Sequence, residues 1–432
     1  MKGFVKYLPT YGWKPYVLTL DEKFIENKDS LHRSEYEKTK ITRARLFPTL
    51  RDSYLFIKNG YSKIINPGKK VQKEKCQYDL AETEANLNGE GLSRKLKRYF
   101  ISLFITLPDS ERNWVIPAII KALREIKSEK IKVILTSGPP HSVHIIGLFI
   151  SMFANIHWIA DFRDPWMTPF NKTLYFTSRL SNFLERGLER KIFKNGDLVS
   201  ATTEKLTNKF REEYNDLPHA KVKFLPNGYD KEDFSGLNNL RKYEIFTISY
   251  TGSIYFSRSP EPLFHAIKGL VDENLLNIED LRIKLIGNCQ FIGGHLTSEV
   301  ASFFGIDTVV EISDYVPYKK ALEIIKKSHV ALLLAPNQPY QIPAKVYDYM
   351  GIGTKILALT GEGATADVIN STNIGEAIHP DNIEGIKKYV YDAAQNAQNQ
   401  TNEGGICCNQ YLRANVVKDL AQELDRIVLN QS

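Results

Sequence analysis

The feature that most constrains the fold is a strand–helix–strand pattern between residues 330 and 359. Two short apolar runs, Val330 to Leu334 and Lys355 to Leu359, have the length and composition of buried parallel strands. Pro343 lies between them and predicts the first position of a helix, where the missing N–H of proline costs nothing. A strand, a helix and a second strand in this order predict a βαβ unit, and therefore an α/β protein with a parallel sheet.

Two charged residues lie at the start of the predicted helix. Lys345 is in its first turn, and Asp348 is three residues further along the same face. Ligands of such units bind at the carboxyl end of the strand, where the helix amino terminus offers N–H groups to an anion. A cation beside free N–H groups suits a phosphate, and a carboxylate one turn deeper suits the hydroxyls of a ribose. We therefore predict a nucleotide site that includes Pro343, Lys345 and Asp348.

The run from Ile342 to Tyr349 resembles the donor-site helix of one glycosyltransferase family. These are the retaining nucleotide-sugar glycosyltransferases with two facing Rossmann-like domains, the family-4 type of the GT-B fold. In that family a loop before the helix carries one glutamate, and a second glutamate eight positions later binds the donor ribose. The second position here is Asp348 and the first is Tyr340, so only the ribose role carries over. The resemblance implies two α/β domains with a donor cleft between them.

Length and charge limit the possible classes of protein. A chain of 432 residues can form two domains with separate cores, and 43% apolar with 25% charged residues is typical of a soluble globular protein. A net charge of +7 favours anionic small molecules or an anionic membrane surface over nucleic acid, for which no motif is apparent. The four cysteines lack metal-ligand spacing, so we predict no metal and no cofactor other than the donor. We expect no signal peptide. We expect a cytoplasmic location, in which the protein can contact the inner face of the cytoplasmic membrane.

We expect the chain to divide into an amino-terminal acceptor-side domain, a nucleotide-sugar-binding domain and a terminal helix, at residues 1–226, 227–410 and 411–432. The resemblance suggests that the last helix packs back on the first domain. A strand is predicted at 13–19, and it resembles the second strand of the family, whose usual first strand and glycine-rich loop are missing from this sequence. The weak pattern at about 21–112 predicts a helical insertion around the acceptor pocket.

A cluster of charges follows a predicted strand in the first half. Asp161, Arg163 and Asp164 are costly to bury unless they are paired, and such clusters concentrate at active sites. The alternative is a structural salt bridge that closes a loop. Ser-x-Pro-Pro at 137–140 and Asp-Phe-Arg-Asp-Pro-Trp at 161–166 resemble glycosyltransferases that build bacterial surface polysaccharides. That resemblance implies that Arg163 and Asp164 lie nearest the reacting sugar and that Asp161 is their partner.

A glycine-containing turn follows the strand predicted at 246–250. Gly252 would let the backbone approach a ligand closely, the N–H groups from Ser253 onward would hold phosphate, and Arg258 would add charge at the diphosphate. A plain tight turn is the alternative. The resemblance implies the diphosphate roles for Gly252 and Arg258, and it puts Val316 in the turn that contacts the nucleobase through its backbone.

Together these features predict transfer of a sugar from a nucleotide-diphosphate sugar to a glycan or lipid-linked glycan, with retention and without a metal. A sugar-nucleotide epimerase of the same fold and a noncatalytic nucleotide-sugar-binding subunit remain alternatives. The basic run Arg94 to Arg98 leads into apolar residues up to Leu107, a mixture that would dock on an anionic membrane. An amphipathic helix that faces the core of the protein is the alternative there.

Overall fold

The computed structural model describes residues 1–24, 39–47, 107–168, 178–237, 239–255, 258–397 and 408–429. The strands, in chain order, are β1 (Tyr16–Leu20), β2 (Lys40–Ala44), β3 (Val133–Gly138), β4 (His157–Phe162), β5 (Leu198–Ala201), β6 (Val222–Phe224), β7 (Phe246–Thr251), β8 (Leu281–Ile286), β9 (Phe291–Ile292), β10 (His295–Leu296), β11 (Val310–Ser313), β12 (Val330–Leu334), β13 (Lys355–Leu359) and β14 (Gly375–Ile378).

The α-helices are α1 (Lys2–Tyr7), α2 (Val115–Glu129), α3 (Ser142–Phe153), α4 (Arg179–Asn195), α5 (Glu204–Glu213), α6 (Glu261–Asp272), α7 (Thr297–Phe303), α8 (Tyr318–Lys327), α9 (Lys345–Ile352), α10 (Ala364–Thr372), α11 (Ile383–Asn396) and α12 (Arg413–Leu429). Short 3₁₀ helices occupy Leu8–Tyr11, Glu22–Phe24, Ser110–Trp114, His219–Lys221, Lys231–Phe234, Ile278–Asp280, Asp307–Val309 and Asn409–Tyr411. Among these described helices, none combines the length and the apolar character that crossing a membrane requires.

The chain divides into two compact units. The first contains Met1–Ala201, Phe210–Lys223 and Leu420–Ser432, and the second contains Thr202–Lys209 and Phe224–Asp419. Each unit has a parallel sheet of its own, so the predicted α/β class is confirmed. In the first unit, Trp13 donates to the carboxylate of Asp425 at 3.0 Å, which ties the last turns of α12 to the start of the chain.

The main sheet of the first unit has the order β3-β4-β5-β6, with β3 and β5 parallel to β4. Strands β1 and β2 form a separate parallel pair in which Tyr16 lies opposite Lys40. Strand β2 corrects the prediction that residues 21–112 are helical where that stretch is described. Its β-branched Ile41 and Thr42 favour a strand, and the charge run just before them had masked this preference. The remainder of the insertion lies outside the described residues.

Helix α3 packs closely on strand β4 because Gly147 has no side chain. A Cβ at Gly147 would lie 2.4 Å from the side chain of Trp158, which is fully buried. The indole N–H of Trp158 donates to the hydroxyl of Thr136 at 2.9 Å, so the ring cannot move aside without losing a buried hydrogen bond. This contact fixes the spacing between the helix layer and the sheet.

The sheet of the second unit has the order β11-β8-β7-β12-β13-β14, and every pair in it is parallel. The predicted βαβ unit is confirmed, because β12 pairs with β13 from Val330–Lys355 to Leu334–Leu359. Alternate residues of β12 enter two different cores: Leu332 and Leu334 lie in one, and Ala331 and Leu333 lie in the other. Helices therefore cover both faces of the sheet, as the continuous apolar runs predicted.

Helix α9 begins at Lys345, two residues later than predicted. Pro343 lies before the helix and not at its first position, because its carbonyl accepts from the N–H of Val346 in a turn that precedes the regular helical bonds. The helix ends at Ile352 and is capped by Gly353, whose φ of +80° suits a glycine cap. It is therefore a short helix that starts with the two charged residues of the predicted site.

We predict that Gly147→Ala destabilises the protein by roughly 1–3 kcal/mol, because the added methyl overpacks the contact with Trp158. Gly187→Ala is the matched control: Gly187 also lies within a helix, and a Cβ there meets no atom within 4 Å. We expect the control to be neutral or to stabilise by up to about 1 kcal/mol through helix propensity. Urea unfolding midpoints measure both, and an equal response of the two variants would contradict this account.

Candidate functional site

The turns after β7 and β8 touch each other at the carboxyl edge of the second sheet. Gly252 donates its N–H to the carbonyl of Ile286 at 2.8 Å, and Gly287 donates to Ser313 at 2.9 Å. A Cβ on Gly287 would lie 2.2 Å from the carbonyl oxygen of Gly252. The φ angles of Gly252 and Gly287 are +139° and +116°, in a region that favours glycine. The backbone contact and both conformations therefore require glycine.

Lys345 places its ammonium against this pair of turns. Its Nζ donates to the carbonyl of Thr251 at 2.6 Å and lies 4.2 Å from the centroid of the Tyr250 ring. A Cβ at Gly252 would lie 2.5 Å from the same Nζ, so this glycine also makes room for the lysine. Burial, together with the positive charge of Arg258, lowers the pKa of Lys345 to about 8. Among the described residues, no carboxylate forms an ion pair with this ammonium, which leaves it suited to an anion.

Asp348 lies one turn deeper in α9. Its carboxylate accepts a hydrogen bond from the hydroxyl of Tyr318, the first residue of α8, at 2.8 Å. Burial raises the pKa of Asp348, while the Tyr318 bond and the positive charge of Arg413 act against that rise. Arg413 in turn bonds to the buried Asp230 at 2.8 Å. The predicted ribose ligand is therefore an oriented carboxylate, and a second acceptor oxygen can receive a ligand hydroxyl.

The loop after β7 is held by two tyrosines. Tyr250 donates its hydroxyl to the carbonyl of Ser253 at 2.8 Å, and the Ser253 hydroxyl shares a hydrogen bond with that of Tyr315. Val316, which follows Tyr315 in the chain, is half-buried in the loop after β11. Arg258 lies with its guanidinium 4.3 Å from the centroid of the Tyr255 ring. The predicted diphosphate and base positions thus belong to neighbouring loops of one sheet edge.

The loop before α9, which includes Pro343, is fixed through its backbone. The carbonyl of Tyr340 accepts from the hydroxyl of Thr203 at 2.9 Å, and that of Gln341 accepts from Thr365 at 2.9 Å. The ring of Tyr340 has the Nζ of Lys209 5.7 Å from its centroid. An aromatic ring over a cation therefore stands where the resembled family has a glutamate.

In the first unit, Asp161 joins three strands. This fully buried carboxylate at the end of β4 accepts from Ser137 of β3 at 2.7 Å and from Ser200 of β5 at 2.8 Å. Arg163 completes its shell at 3.3 Å. Such satisfaction is what a buried charge requires. Asp164 follows with a half-buried side chain.

Arg163 is held from a second side by the start of the chain. Its guanidinium lies 5.5 Å from the centroid of the Phe4 ring, and Phe4 is a buried residue of α1. Its backbone N–H donates to Gly138 at 2.8 Å, which fixes the turn relative to β3. The Asp161–Arg163 pair is a salt bridge, which is the structural alternative to an active-site role that the sequence left open. The same pair also presents a preoriented arginine at a strand's carboxyl end, as an active-site role requires.

His141 and Asp109 are two residues near this turn that no sequence motif indicated. The imidazole of His141 stacks on Trp166, with ring centroids 5.1 Å apart and planes 2° from parallel. Asp109 accepts from the N–H of Ser142 at 2.7 Å, at the start of α3, and burial raises the pKa of Asp109 to about 6. A position in the turn directly after a predicted strand was the signal available for His141. Nothing in the sequence connects Asp109 to that turn.

Cys289 is a free, buried thiol that donates to the carbonyl of Gly252, and burial raises its pKa to about 11, so it is unreactive packing for the turn. Within the described ranges, no three or more His, Cys, Asp or Glu side chains are grouped so as to hold a metal ion.

Comparisons with known proteins identify the fold. No family model matches the chain, and no curated protein matches its sequence. Among solved structures it is similar to a glycosyltransferase from Rickettsia africae, at 13% identity and a TM-score of 0.58 over 100% of this chain and 94% of that one. It is also similar to sucrose-phosphate synthase from Thermosynechococcus elongatus, at 14% identity and a TM-score of 0.58 over 99% and 92% of the two chains.

A third structure of this kind is HepE of Anabaena in complex with UDP-glucose, at 13% identity and a TM-score of 0.53 over 72% of this chain and 82% of that one. At such identities the likeness establishes the fold alone. The chain has the α/β fold of GT-B glycosyltransferases, built from Rossmann-like domains with parallel sheets.

We predict that Lys345→Ala weakens binding of nucleoside diphosphates by roughly tenfold to a hundredfold, the strength of a charge-assisted hydrogen bond in a buried site. Calorimetry with UDP, GDP and dTDP measures the effect. Lys355→Ala is the control, because Lys355 is a half-exposed lysine whose Nζ bonds to the carbonyl of Asn373.

The pKa of about 8 for Lys345 predicts the direction of the pH dependence. As pH rises from 7 to 8.5, the ammonium of Lys345 deprotonates, so the affinity of the wild type for nucleoside diphosphates falls. The Lys345→Ala variant lacks this fall.

We predict that Asp348→Asn removes discrimination between a nucleoside diphosphate and its 2′,3′-dideoxy analogue. The carboxylate accepts from ribose hydroxyls, so the wild type binds the ribose form roughly tenfold more tightly, and the variant binds both alike. Asp381→Asn, at a highly exposed carboxylate with 92% side-chain exposure, is the control. If the variant lost affinity equally for both nucleotides, the ribose assignment would fail.

Proposed function

We propose that the protein is a glycosyltransferase that moves a sugar from a nucleotide-diphosphate sugar to a hydroxyl of a glycan or lipid-linked glycan. The observation that carries this proposal is the buried ammonium of Lys345, held against the Gly252 turn with the carboxylate of Asp348 one helical turn deeper. This arrangement offers a cation to a diphosphate and an acceptor to a ribose. The structural likeness to HepE, which was solved with UDP-glucose, supports a nucleotide-sugar donor.

Departure of the nucleoside diphosphate is the step that these groups assist. Negative charge grows on the leaving phosphate, and Lys345, Arg258 and the positive end of the α9 helix dipole stabilise it. Two cations and a helix terminus supply the charge that a metal ion provides in other enzymes, so we propose metal-independent transfer. Exclusion of water from the bound donor would prevent hydrolysis of the sugar.

The nucleoside is held at the other end of the same edge. Asp348 accepts from the ribose hydroxyls while Tyr318 keeps the carboxylate oriented. The turn that contains Val316 contacts the base through backbone groups, which do not select one base by side-chain chemistry. The Gly252 turn lets the backbone approach the diphosphate, the N–H groups from Ser253 onward would hold it, and Pro343 shapes the entry to α9.

In the first unit we assign Arg163 and Asp164 to the transferred sugar or the acceptor hydroxyl. Asp161 acts as a positioning residue, because it is fully buried and reaches the site through Arg163. Retention follows from the resemblance of the 342–349 motif to retaining enzymes. A front-side mechanism requires no protein nucleophile, and we assign none.

One observation favours a second candidate, a noncatalytic nucleotide-sugar-binding subunit. Tyr340 replaces the first glutamate of the resembled family, and its ring lies over the cation of Lys209. The donor would then bind in the same place without transfer. This candidate and the transferase differ in turnover, which decides between them.

The deciding experiment follows release of nucleoside diphosphate from UDP-, GDP- and dTDP-sugars, with and without a membrane lipid extract. We expect release that depends on the extract and that falls by about a hundredfold in Lys345→Ala, the scale of losing one charged group at a leaving oxygen. Lys355→Ala and Asp381→Asn should keep wild-type turnover.

Binding of a donor without release, with every sugar and extract, would leave the binding subunit as the function. Conversion of the sugar on the nucleotide to its epimer, without any acceptor and without net release of nucleoside diphosphate, would instead identify an epimerase. NMR of the product tests the stereochemistry, since an inverted anomeric configuration would overturn retention.

A further inference from the structure

Three neighbouring helices of the first unit expose large hydrophobic side chains. Helix α3 packs against both α2 and α4, so the three form one layer. Phe153 on α3 and Phe183 on α4 are each 73% exposed, Met152 is 62% exposed, and Ile116 on α2 is 59% exposed. Phe149 on α3 and Leu180 on α4 are also exposed. Exposed apolar side chains in such number on adjacent helices mark an interaction surface.

The acidic residues of these helices are occupied within the protein. On α4, Glu185 accepts from the indole N–H of Trp166 at 2.6 Å and Glu189 accepts from the hydroxyl of Tyr214 at 2.9 Å, and both glutamates are buried. On α2, the two glutamates Glu125 and Glu129 are bound by Lys40 at 2.7 and 2.9 Å. Helix α3 carries no Asp, Glu, Lys or Arg. On these helices the carboxylates that keep part of their surface exposed are those of Glu125 and Glu129, at 27% and 30%, and both pair with Lys40.

The remaining charged residues that these faces expose are basic. On α4 they include Arg186, Lys191 and Lys194, and on α2 they include Lys121 and Arg124. Arg190 is also exposed and pairs with Asp216, which lies outside the three helices. The layer thus combines aromatic and aliphatic side chains with an excess of positive charge. A net charge of +7 spread over 432 residues gives no hint of this concentration.

We infer that the outward face of α2, α3 and α4 docks on an anionic lipid bilayer. Phenylalanine and methionine side chains gain free energy on entering the interface between headgroups and acyl chains, and lysine and arginine are attracted by anionic headgroups. Nucleic acid would use the positive charge but not the apolar side chains. A bilayer uses both, which is why it fits this surface better. The residues named on this surface do not include the basic run at 94–98, which lies outside the described residues, and the inference does not rest on the proposed transfer reaction.

Vesicle co-sedimentation of the full chain tests the apolar part. The probes are vesicles of phosphatidylcholine alone and vesicles that also contain phosphatidylglycerol. We expect the wild type to bind the second kind, and the double variant Phe153→Ser with Phe183→Ser to bind roughly tenfold or more weakly because two apolar side chains are lost. The matched control is Phe291→Ser with Phe303→Ser, since these phenylalanines are 56% and 81% exposed in the second unit.

A charge variant tests the electrostatic part. Arg186→Gln, Lys191→Gln and Lys194→Gln together should reduce binding roughly tenfold or more and flatten its dependence on salt. The control replaces three exposed lysines of the second unit, Lys231, Lys388 and Lys418, by glutamine. Both variants lose the same net charge, so a larger loss of vesicle binding in the first variant shows that the position of the charges determines binding. Nucleoside diphosphate binding should be unchanged in all four variants, which separates this surface from the donor site and from misfolding.

Several outcomes would overturn the inference. One is a wild type that binds no phosphatidylglycerol vesicles, and another is an equal loss of binding in the variants and their controls. Binding to polyuridylate but not to vesicles would assign the face to nucleic acid. A dimer in the wild type that Phe153→Ser with Phe183→Ser makes monomeric, without vesicle binding, would assign it to a second copy of the chain.

Discussion

The candidate site depends on one interaction, the burial of the Lys345 ammonium against the carbonyl of Thr251. Removing a cation from water is unfavourable, and a carbonyl with an aromatic face offsets only part of that cost. The lowered pKa of Lys345 expresses the remainder. Because the ammonium is already desolvated, an arriving phosphate restores its stabilisation without first having to remove its water. The destabilised ammonium of Lys345 therefore has an increased affinity for anions.

The glycines follow from this interaction. A side chain at position 252 would meet the lysine, and a side chain at 287 would meet the carbonyl of Gly252, so both turns must come together without Cβ atoms. Cys289 fills the space beneath and bonds to the same carbonyl. The strand order places β8 beside β7, which brings the two turns together. Topology and glycine placement therefore act as one constraint on the lysine.

The sequence predicted the parts of the fold that are encoded locally. Parallel strands buried on both faces appear as uninterrupted apolar runs, and β7, β12 and β13 were found on that basis. Strand β2 was missed because its pairing with β1 is a tertiary contact that local sequence does not encode, and because the neighbouring charges favour a helix. The start of α9 differed by two residues because a proline that suits a first helical position suits the preceding turn equally well.

The same distinction separates what was foreseen in the site from what was not. Lys345, Asp348 and Gly252 carry signals in a short stretch of chain, a cation, an acid and a glycine beside a strand. The hydrogen bond from Tyr318 to Asp348 spans 30 residues, and the pair of Arg413 and Asp230 spans 183. No spacing rule connects such partners, yet they orient the carboxylate of Asp348 and oppose the rise in its pKa. The identity of a candidate binding residue is thus legible in the sequence, whereas its protonation and orientation are properties of the packed structure. The acids of α4 make the same point, because only the folded chain shows that they face Trp166 and Tyr214 and leave a basic surface outside.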